Sequence, residues 1–294
     1  MSNGPETRGK KIKELEVMVA EVRQETPDTV TLVLFTGNDR LEYLPGHFCT
    51  IDPHQFGALE RFTSYLEDLK GKRESPRAYS LASAPHEKYV AITVKEETYV
   101  SGKTKYPPLL SPLLVKQLDR GTHLHITGFT GPYTLPADIE SRTDHLVHVV
   151  AGSGAVPNFS ILKHALHTGL KLRHTFICAN RTFEDICFRR ELDELAQAHP
   201  GQLKVVHTLT RETDARRFGP TVRQGRLGRA LLEECVPDSG TCVVYACGPA
   251  IGPLEKAAAK EKGTTPEPRF LEAAIEQLMA IGVPSARIKR ESYG

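Results

Sequence analysis

The sequence lacks several features that would each indicate a class of protein. Its six cysteines include no Cys-x-x-Cys pair, the close spacing typical of zinc sites and of cysteine-ligated iron–sulfur clusters. We therefore expect no such cluster in this chain. No apolar run approaches the roughly 20 residues of a membrane span. The 38 basic and 36 acidic side chains nearly cancel, which argues against a general nucleic-acid or membrane-surface binder.

Two further absences concern targeting and metals. The first eleven residues are polar and contain no apolar stretch like that of a signal peptide, so we expect a cytoplasmic protein. Two histidine pairs, His123 with His125 and His164 with His167, could each chelate a metal from one face of a strand or helix. Neither pair has a carboxylate or cysteine at ligand spacing, and we expect no metal site.

The two halves of the 294 residues show different patterns, and the length allows two domains. The first half contains short segments rich in Val, Ile, Thr and Tyr, and such segments favour an antiparallel β-barrel. The predicted strands are 15–24, 29–35, 47–52, 77–82, 89–96 and 123–128. A helix is predicted over 111–118, and the charged stretch 58–73 is interpreted as an inserted helix or loop.

From residue 145 the pattern alternates between strand and helix, which indicates a doubly wound α/β fold with a parallel sheet. Strands are predicted at 145–151, 172–179, 203–210, 241–246 and 287–290. Helices are predicted at 158–167, 186–198, 229–235 and 269–281. We place the domains at residues 12–140 and 141–294, with the boundary near 136–144.

The most informative segment is the glycine turn Ala151-Gly-Ser-Gly-Ala-Val-Pro157. It follows an apolar strand and opens a helix, so its backbone amides and the helix N-terminus could hold a phosphate. Alone, this turn would be weak support for a phosphate site, because many such sequences are tight turns that bind no ligand. It makes a nucleotide cofactor the first hypothesis.

Three other segments accompany the glycine turn in a fixed order: Arg77-Ala-Tyr-Ser80, Tyr106-Pro-Pro-Leu-Leu-Ser111 and Gly128-Phe-Thr-Gly-Pro-Tyr133. A Cys247-Gly-Pro249 sequence follows near a strand end. Together they resemble the ferredoxin–NADP reductase superfamily, in which a flavin-binding barrel precedes a pyridine-nucleotide domain. The resemblance runs from about residue 15 to the C-terminus.

The resemblance implies that the barrel binds FAD. Arg77 would hold the diphosphate, whose two anionic groups suit a guanidinium fork. Tyr79 would contact the flavin or its ribityl chain, and Ser80 would lie near flavin N5. Ser111 would donate to the diphosphate, although Pro107 or Pro108 stands where glycine is usual and cannot donate an N–H group; Ser111 could instead simply cap a helix. The implied flavin site also includes Ala78, Thr93, Val94, Leu110 and Tyr293.

The same resemblance implies that the second half binds NADP or NAD. Gly152, Ser153, Gly154 and Pro157 would hold the pyrophosphate, and Cys247, Gly248 and Pro249 would lie at the nicotinamide. Asn180, Arg181, Thr210 and Arg211 would hold the far end of the nucleotide. No carboxylate follows the second strand until Glu184, and arginines follow the third, so NADPH is favoured over NADH. A solvated basic loop would look the same.

These assignments imply hydride transfer from the nicotinamide to the flavin, with Ser80 and Cys247 as positioning groups and Glu291 in proton handling. Single electrons would then pass to a separate ferredoxin or a Rieske-type oxygenase component, since no cluster is expected here. Reduction of free flavin or a small acceptor, FMN in place of FAD, and a non-catalytic redox regulator remain alternatives. Cys247 could instead be an ordinary buried thiol at a strand end, with no part in the reaction.

Overall fold

A computed structural model describes residues 13–37, 41–101 and 104–293 of the chain. Six antiparallel strands form the first sheet, in the order β4-β3-β6-β1-β2-β5. A bridge between Leu81 and Ile92 links its two edge strands, so the sheet closes into a barrel. The strands are β1 (Lys13–Thr26), β2 (Thr29–Phe35), β3 (Phe48–Ile51), β4 (Arg77–Ser80), β5 (Val90–Lys95) and β6 (His123–Thr130).

The barrel strands coincide closely with those predicted from the sequence, because alternate residues fill one core. Val19, Leu32, Ile92 and Ile126 are each fully buried there. Two helices interrupt the barrel strands, α1 (Glu60–Lys70) and α2 (Ser111–Lys116). The stretch 58–73 is therefore mainly helical, and its helix ends at Gly71, which has a left-handed φ of 65°.

The second sheet has six parallel strands in the order β10-β9-β8-β7-β11-β12. Its helices alternate with its strands, which confirms the doubly wound prediction. The elements are α3 (Ile139–Arg142), β7 (His145–Ala151), α4 (Ala155–His167), β8 (Arg173–Asn180), α5 (Arg189–Ala198), β9 (Leu203–Leu209), β10 (Val222–Gln224), α6 (Arg229–Cys235), β11 (Val243–Pro249), α7 (Pro253–Glu261), α8 (Phe270–Ala280) and β12 (Ile288–Tyr293).

Apolar clusters cover both faces of this sheet. Phe176 and Tyr245 lie in the cluster that includes α4, whereas Ile177 and Leu278 lie in the cluster that includes α8. Alternate residues of one strand thus face opposite layers, as a doubly wound sheet requires. The predicted boundary near 136–144 coincides with α3 and its flanks, and the domain limits stay a prediction.

Several details differ from the sequence prediction. The short β10 and the helices α3 and α7 were not predicted. The helix expected over 186–198 begins only at Arg189, because Phe188 adopts a left-handed φ of 55° that no α-helix can contain. Within the described ranges no helix is long and apolar enough to cross a membrane.

The turn before β3 depends on a glycine. Gly46 has a φ of 94°, and a Cβ atom there would lie 2.0 Å from the Tyr133 carbonyl oxygen. We expect Gly46→Ala to lower the free energy of unfolding by at least about 2 kcal/mol, since strain and a backbone clash coincide. Gly57→Ala is the control, because a Cβ atom there meets nothing within 4 Å. Equal denaturation midpoints for the two variants would contradict the prediction.

Candidate active site

One cleft of about 670 Å³ gathers residues from both sheets. We call it the cofactor cleft. β4 lines it with all four of its residues, and the glycine turn and the end of β11 contribute Ser153 and Pro249. The further predicted residues in its wall are Thr93, Leu110, Ser111 and Tyr293. The structure thus brings eight of the nine predicted flavin-binding residues to one cavity.

Arg77 is held at the edge of the cofactor cleft by the loop that follows α1. Its guanidinium donates to the Ser75 carbonyl at 2.6 Å and contacts the buried Glu74 carboxylate. Burial alone would raise the pKa of Glu74, but hydrogen bonds from Lys70 and Arg77 hold it below the ordinary value. Glu74 therefore stays ionised and orients Arg77, while 39% of the Arg77 side chain remains exposed for an anion.

Tyr293, the last described residue, closes the other end of this wall. Its hydroxyl is hydrogen-bonded to the Ser80 hydroxyl, and this contact joins β12 to β4 across the cleft. Burial raises the pKa of Tyr293 well above its ordinary value and likewise raises that of Tyr79. Both tyrosines are therefore neutral, and the group predicted to meet flavin N5 is covered by a phenol.

Three of the predicted flavin residues have side chains that pack against or hydrogen-bond to other parts of the protein. Val94 packs in the barrel core and does not line the cleft. The Ser111 hydroxyl accepts a hydrogen bond from the Glu97 backbone at 3.0 Å. Ser111 therefore does not cap α2, where Leu110 occupies the cap position. The Thr93 hydroxyl is hydrogen-bonded to that of Thr31 at 2.7 Å.

The glycine turn packs directly against the end of β11. Residues 152–154 form one 3₁₀ turn, and α4 begins at Ala155. A Cβ atom on Gly154 would lie 2.3 Å from the Cys247 carbonyl oxygen, and one on Gly248 would lie 2.6 Å from the Phe270 ring. Pro157 fits within the first turn of α4, where a backbone N–H has no partner to lose. Two glycines thus create the close approach that a dinucleotide cradle needs.

The Cys247 thiol is fully buried and does not line the cofactor cleft. It lies in the apolar cluster that Tyr133 and Tyr293 join, beside Glu291, its register partner on β12. Burial and the Glu291 charge raise the pKa of Cys247 well above its ordinary value. Burial also raises the pKa of the half-buried Glu291. The sequence predicts both residues near the reacting atoms; the structure buries the Cys247 thiol in the apolar interior and not in the wall of the cleft.

A buried polar network behind the glycine turn was not predicted. Asn158 donates to the Tyr133 hydroxyl at 3.1 Å and lies 2.9 Å from His148 Nδ1. Burial lowers the pKa of His148 to about 4, so the ring is neutral and Nδ1–H donates to the Asn158 oxygen. The network ties α4 to the end of the barrel. Its only sequence signal is an Asn on an otherwise apolar helix face.

The carboxyl ends of β8 and β9 lie side by side at the predicted nucleotide edge. Thr210 Oγ1 donates to the Asn180 carbonyl at 3.3 Å, and the Arg211 amide donates to the Arg181 carbonyl at 2.7 Å. Arg181 is paired with Asp185 at 3.0 Å and lies 3.5 Å from Asp28 of the barrel. Arg211 is exposed. The buried Asn180 Oδ1 has no hydrogen-bond partner among the described residues.

The segment 252–267, for which the sequence predicts no element, precedes Arg269, a residue of the cofactor cleft. It contains α7, whose Glu255 caps the helix through the Gly252 amide at 2.9 Å. The same carboxylate accepts from Arg269 at 2.5 Å, and Arg269 lines the cleft. Within the described ranges, no group of three His, Cys, Asp or Glu side chains could hold a metal.

Comparison with known proteins agrees with this geometry. Residues 149–260 match the family model for the oxidoreductase NAD-binding domain. The FAD/NAD-binding domain of a nitric oxide dioxygenase from Vibrio cholerae has the same fold, with a TM-score of 0.70, 23% identity and coverage of 95% of this chain and 98% of that one. The chain therefore has the fold of that FAD/NAD-binding domain, and its second half contains the stretch that matches the NAD-binding model.

Two curated relatives extend over most of the chain. It is 29% identical over 238 residues to an NADPH oxidoreductase of Mycobacterium tuberculosis, covering 81% of this chain and 54% of the relative. It is 29% identical over 279 residues to the ferredoxin reductase component of a 3-ketosteroid-9-alpha-monooxygenase of Rhodococcus rhodochrous, covering 94% and 64%. The chain therefore spans less than two thirds of the length of either relative.

All six cysteines of the chain are buried, so we expect the native protein to react slowly with a thiol reagent. Tyr293→Ala should expose Cys247 and speed modification of one thiol by at least about tenfold, since access and solvation both increase. Tyr293→Phe keeps the ring and serves as the control. The extra reactivity should vanish in Tyr293→Ala with Cys247→Ala. If the double variant is modified as fast as Tyr293→Ala alone, the substitution has uncovered a thiol other than that of Cys247.

Proposed function

We propose that the protein is an FAD-dependent NAD(P)H oxidoreductase that delivers single electrons to a separate protein carrier. The observation that supports this most directly is the cofactor cleft, where β4 of the barrel meets Ser153 and Pro249 of the parallel sheet. A flavin held by the first and a nicotinamide held by the second would face each other. Bound flavin supplies the chemistry, by accepting a hydride and releasing electrons singly.

The residues of the cleft suit the two cofactors. Arg77, fixed by Glu74, offers a guanidinium to a diphosphate at the cleft edge. Gly154 and Gly248 leave room for backbone amides to approach a pyrophosphate. Asn180 Oδ1, which has no hydrogen-bond partner in the described part of the chain, is an acceptor suited to a ribose hydroxyl.

Tyr293 acts as a cover over Ser80 in this proposal. A nicotinamide ring that stacks over Ser80 needs the phenol to move aside. The same movement uncovers Cys247, so the cysteine then contacts the nicotinamide without serving as a nucleophile. Both residues contribute by positioning, which supplies much of the rate in a transfer between two bound rings.

The carrier is proposed to be a ferredoxin or a Rieske-type oxygenase component. The Rhodococcus relative bears the name of a ferredoxin reductase component of an oxygenase, which supports that choice. NADPH is proposed as the preferred donor because Arg211 is exposed beside Thr210, while Arg181 is already paired with two carboxylates.

The first test is the absorbance spectrum of purified protein supplied with FAD, followed by anaerobic NADPH or NADH. We expect flavin bands that bleach within a single turnover. Arg77→Gln should weaken FAD binding by at least about tenfold, the effect of losing a charge-assisted hydrogen bond. Arg73→Gln is the matched control, since that side chain is 73% exposed. A protein that binds no FAD would refute the enzyme and favour a nucleotide-binding regulator.

Arg211 provides the test of nucleotide preference. Arg211→Gln should lower kcat/KM for NADPH by about tenfold or more, because a guanidinium–phosphate contact is lost. The value for NADH should change little, since NADH has no 2′-phosphate. Arg190→Gln on α5 is the control for a general loss of positive charge. Equal losses with both nucleotides would refute a role for Arg211 in phosphate recognition.

A further inference from the structure

A second cleft of about 570 Å³ lies between barrel strands β1, β2 and β5 and helices α4 and α5. We call it the rear cleft. Glu25 and Thr31 line it, whereas Thr93 lines the cofactor cleft. Thr31 and Thr93 are directly opposite each other in the β2–β5 pair, and their hydroxyl oxygens are 2.7 Å apart. One hydrogen bond therefore connects the walls of the two clefts.

Glu25 completes this connection. Its Oε1 accepts a hydrogen bond from Thr31 at 2.6 Å, and its Oε2 accepts one from the Phe188 amide at 3.2 Å. Both threonines are at least nine-tenths buried. Glu25, Thr31 and Thr93 thus form a continuous chain of hydrogen bonds that no water needs to bridge.

The direction of this chain depends on one proton. An ionised carboxylate can only accept, so Thr31 donates to Glu25 and Thr93 donates to Thr31. Thr93 then presents only lone pairs to the cofactor cleft. When Glu25 is protonated, Oε1 is the protonated oxygen, because Oε2 already accepts from the Phe188 amide. Glu25 then donates to Thr31 and Thr31 donates to Thr93, which frees the Thr93 hydroxyl proton for the cofactor cleft.

We propose that Glu25 is a remote positioning residue whose protonation converts Thr93 from an acceptor to a donor toward FAD. This inference rests on the proposed function, since it requires FAD in the cofactor cleft. The flavin ring and diphosphate offer many acceptor atoms and few donors, so the donor form of Thr93 binds FAD more tightly. Glu25 touches no cofactor and acts through the two threonines.

The surroundings of Glu25 raise its pKa above the ordinary value of a glutamate. Burial has the largest effect and raises the pKa of Glu25, and the charge of Glu191 raises it further. Hydrogen bonds from Thr31 and the Phe188 amide lower the pKa, as does the charge of Arg23. The other titratable groups around it come from several elements: Glu87 and Lys88 after β4, Lys163 on α4, Cys187 before α5 and Glu194 on α5. Lys163 is paired with Glu87 at 2.5 Å, which limits its influence on Glu25.

The test is the dissociation constant of FAD for the FAD-depleted protein between pH 5 and 8. The protonated form of Glu25 binds FAD more tightly, so the constant should rise as pH increases through the pKa of Glu25. The expected change is about fivefold, the effect of one hydrogen bond. By linkage, FAD should raise the pKa of Glu25, which the infrared band of its carboxyl group reports.

Three variants distinguish titration of Glu25, transmitted through the two threonine hydroxyls, from titration of any other group. Glu25→Gln removes the proton and Thr31→Val breaks the chain, so both should lose the pH-dependent step. Thr31→Ser keeps a hydroxyl and should retain it. A flat or reversed profile in the original protein, or a step that survives in Thr31→Val, would overturn the proposal while leaving FAD binding intact. Protein that binds no FAD at any pH would instead refute the proposed function and this inference with it.

Discussion

The close approach of the glycine turn to the end of β11 is the constraint on which the site depends. Gly154 faces the Cys247 carbonyl at a distance that no side chain permits. The contact packs the glycine turn and the N-terminus of α4 against the carboxyl end of β11, beside its ladder with β7. Ser153 and Pro249 reach the cofactor cleft only because of this contact. A larger residue would separate the pyrophosphate cradle from the nicotinamide position.

The sequence was sufficient for the architecture because both sheets follow simple periodicities. Barrel strands such as β3 and β6 alternate more buried and less buried residues. The strands of the parallel sheet are almost continuously apolar, as in β7. The segments α7 and β10 were missed for a physical reason. α7 is largely exposed and gains its stability from capping by Glu255, whereas β10 contains only three residues. Neither carries a periodic apolar pattern.

The contacts that each side chain of the site makes were much harder to predict than the place of its residue in the fold. Residues such as Tyr79 and Ser80 were placed in the site by the resemblance of their motif, and both line the cleft. Cys247 is buried in an apolar cluster that Tyr293 also joins, although Tyr293 lies 46 residues later in the chain, on the neighbouring strand β12. The partnership of Arg181 with Asp28 crosses from one sheet to the other. Contacts of this kind have no local signature.

The arginines after β8 and β9 show why counting charges overstates a binding site. Arg181 is paired with Asp185 and Asp28, and Arg217 with Glu212 at 3.2 Å. A cation already paired with carboxylates must give up those contacts to bind a phosphate, so its net contribution falls. Arg211 has no ion pair among the described residues. The proposed preference for NADPH therefore rests on the exposed Arg211 rather than on the basic character of the whole corner.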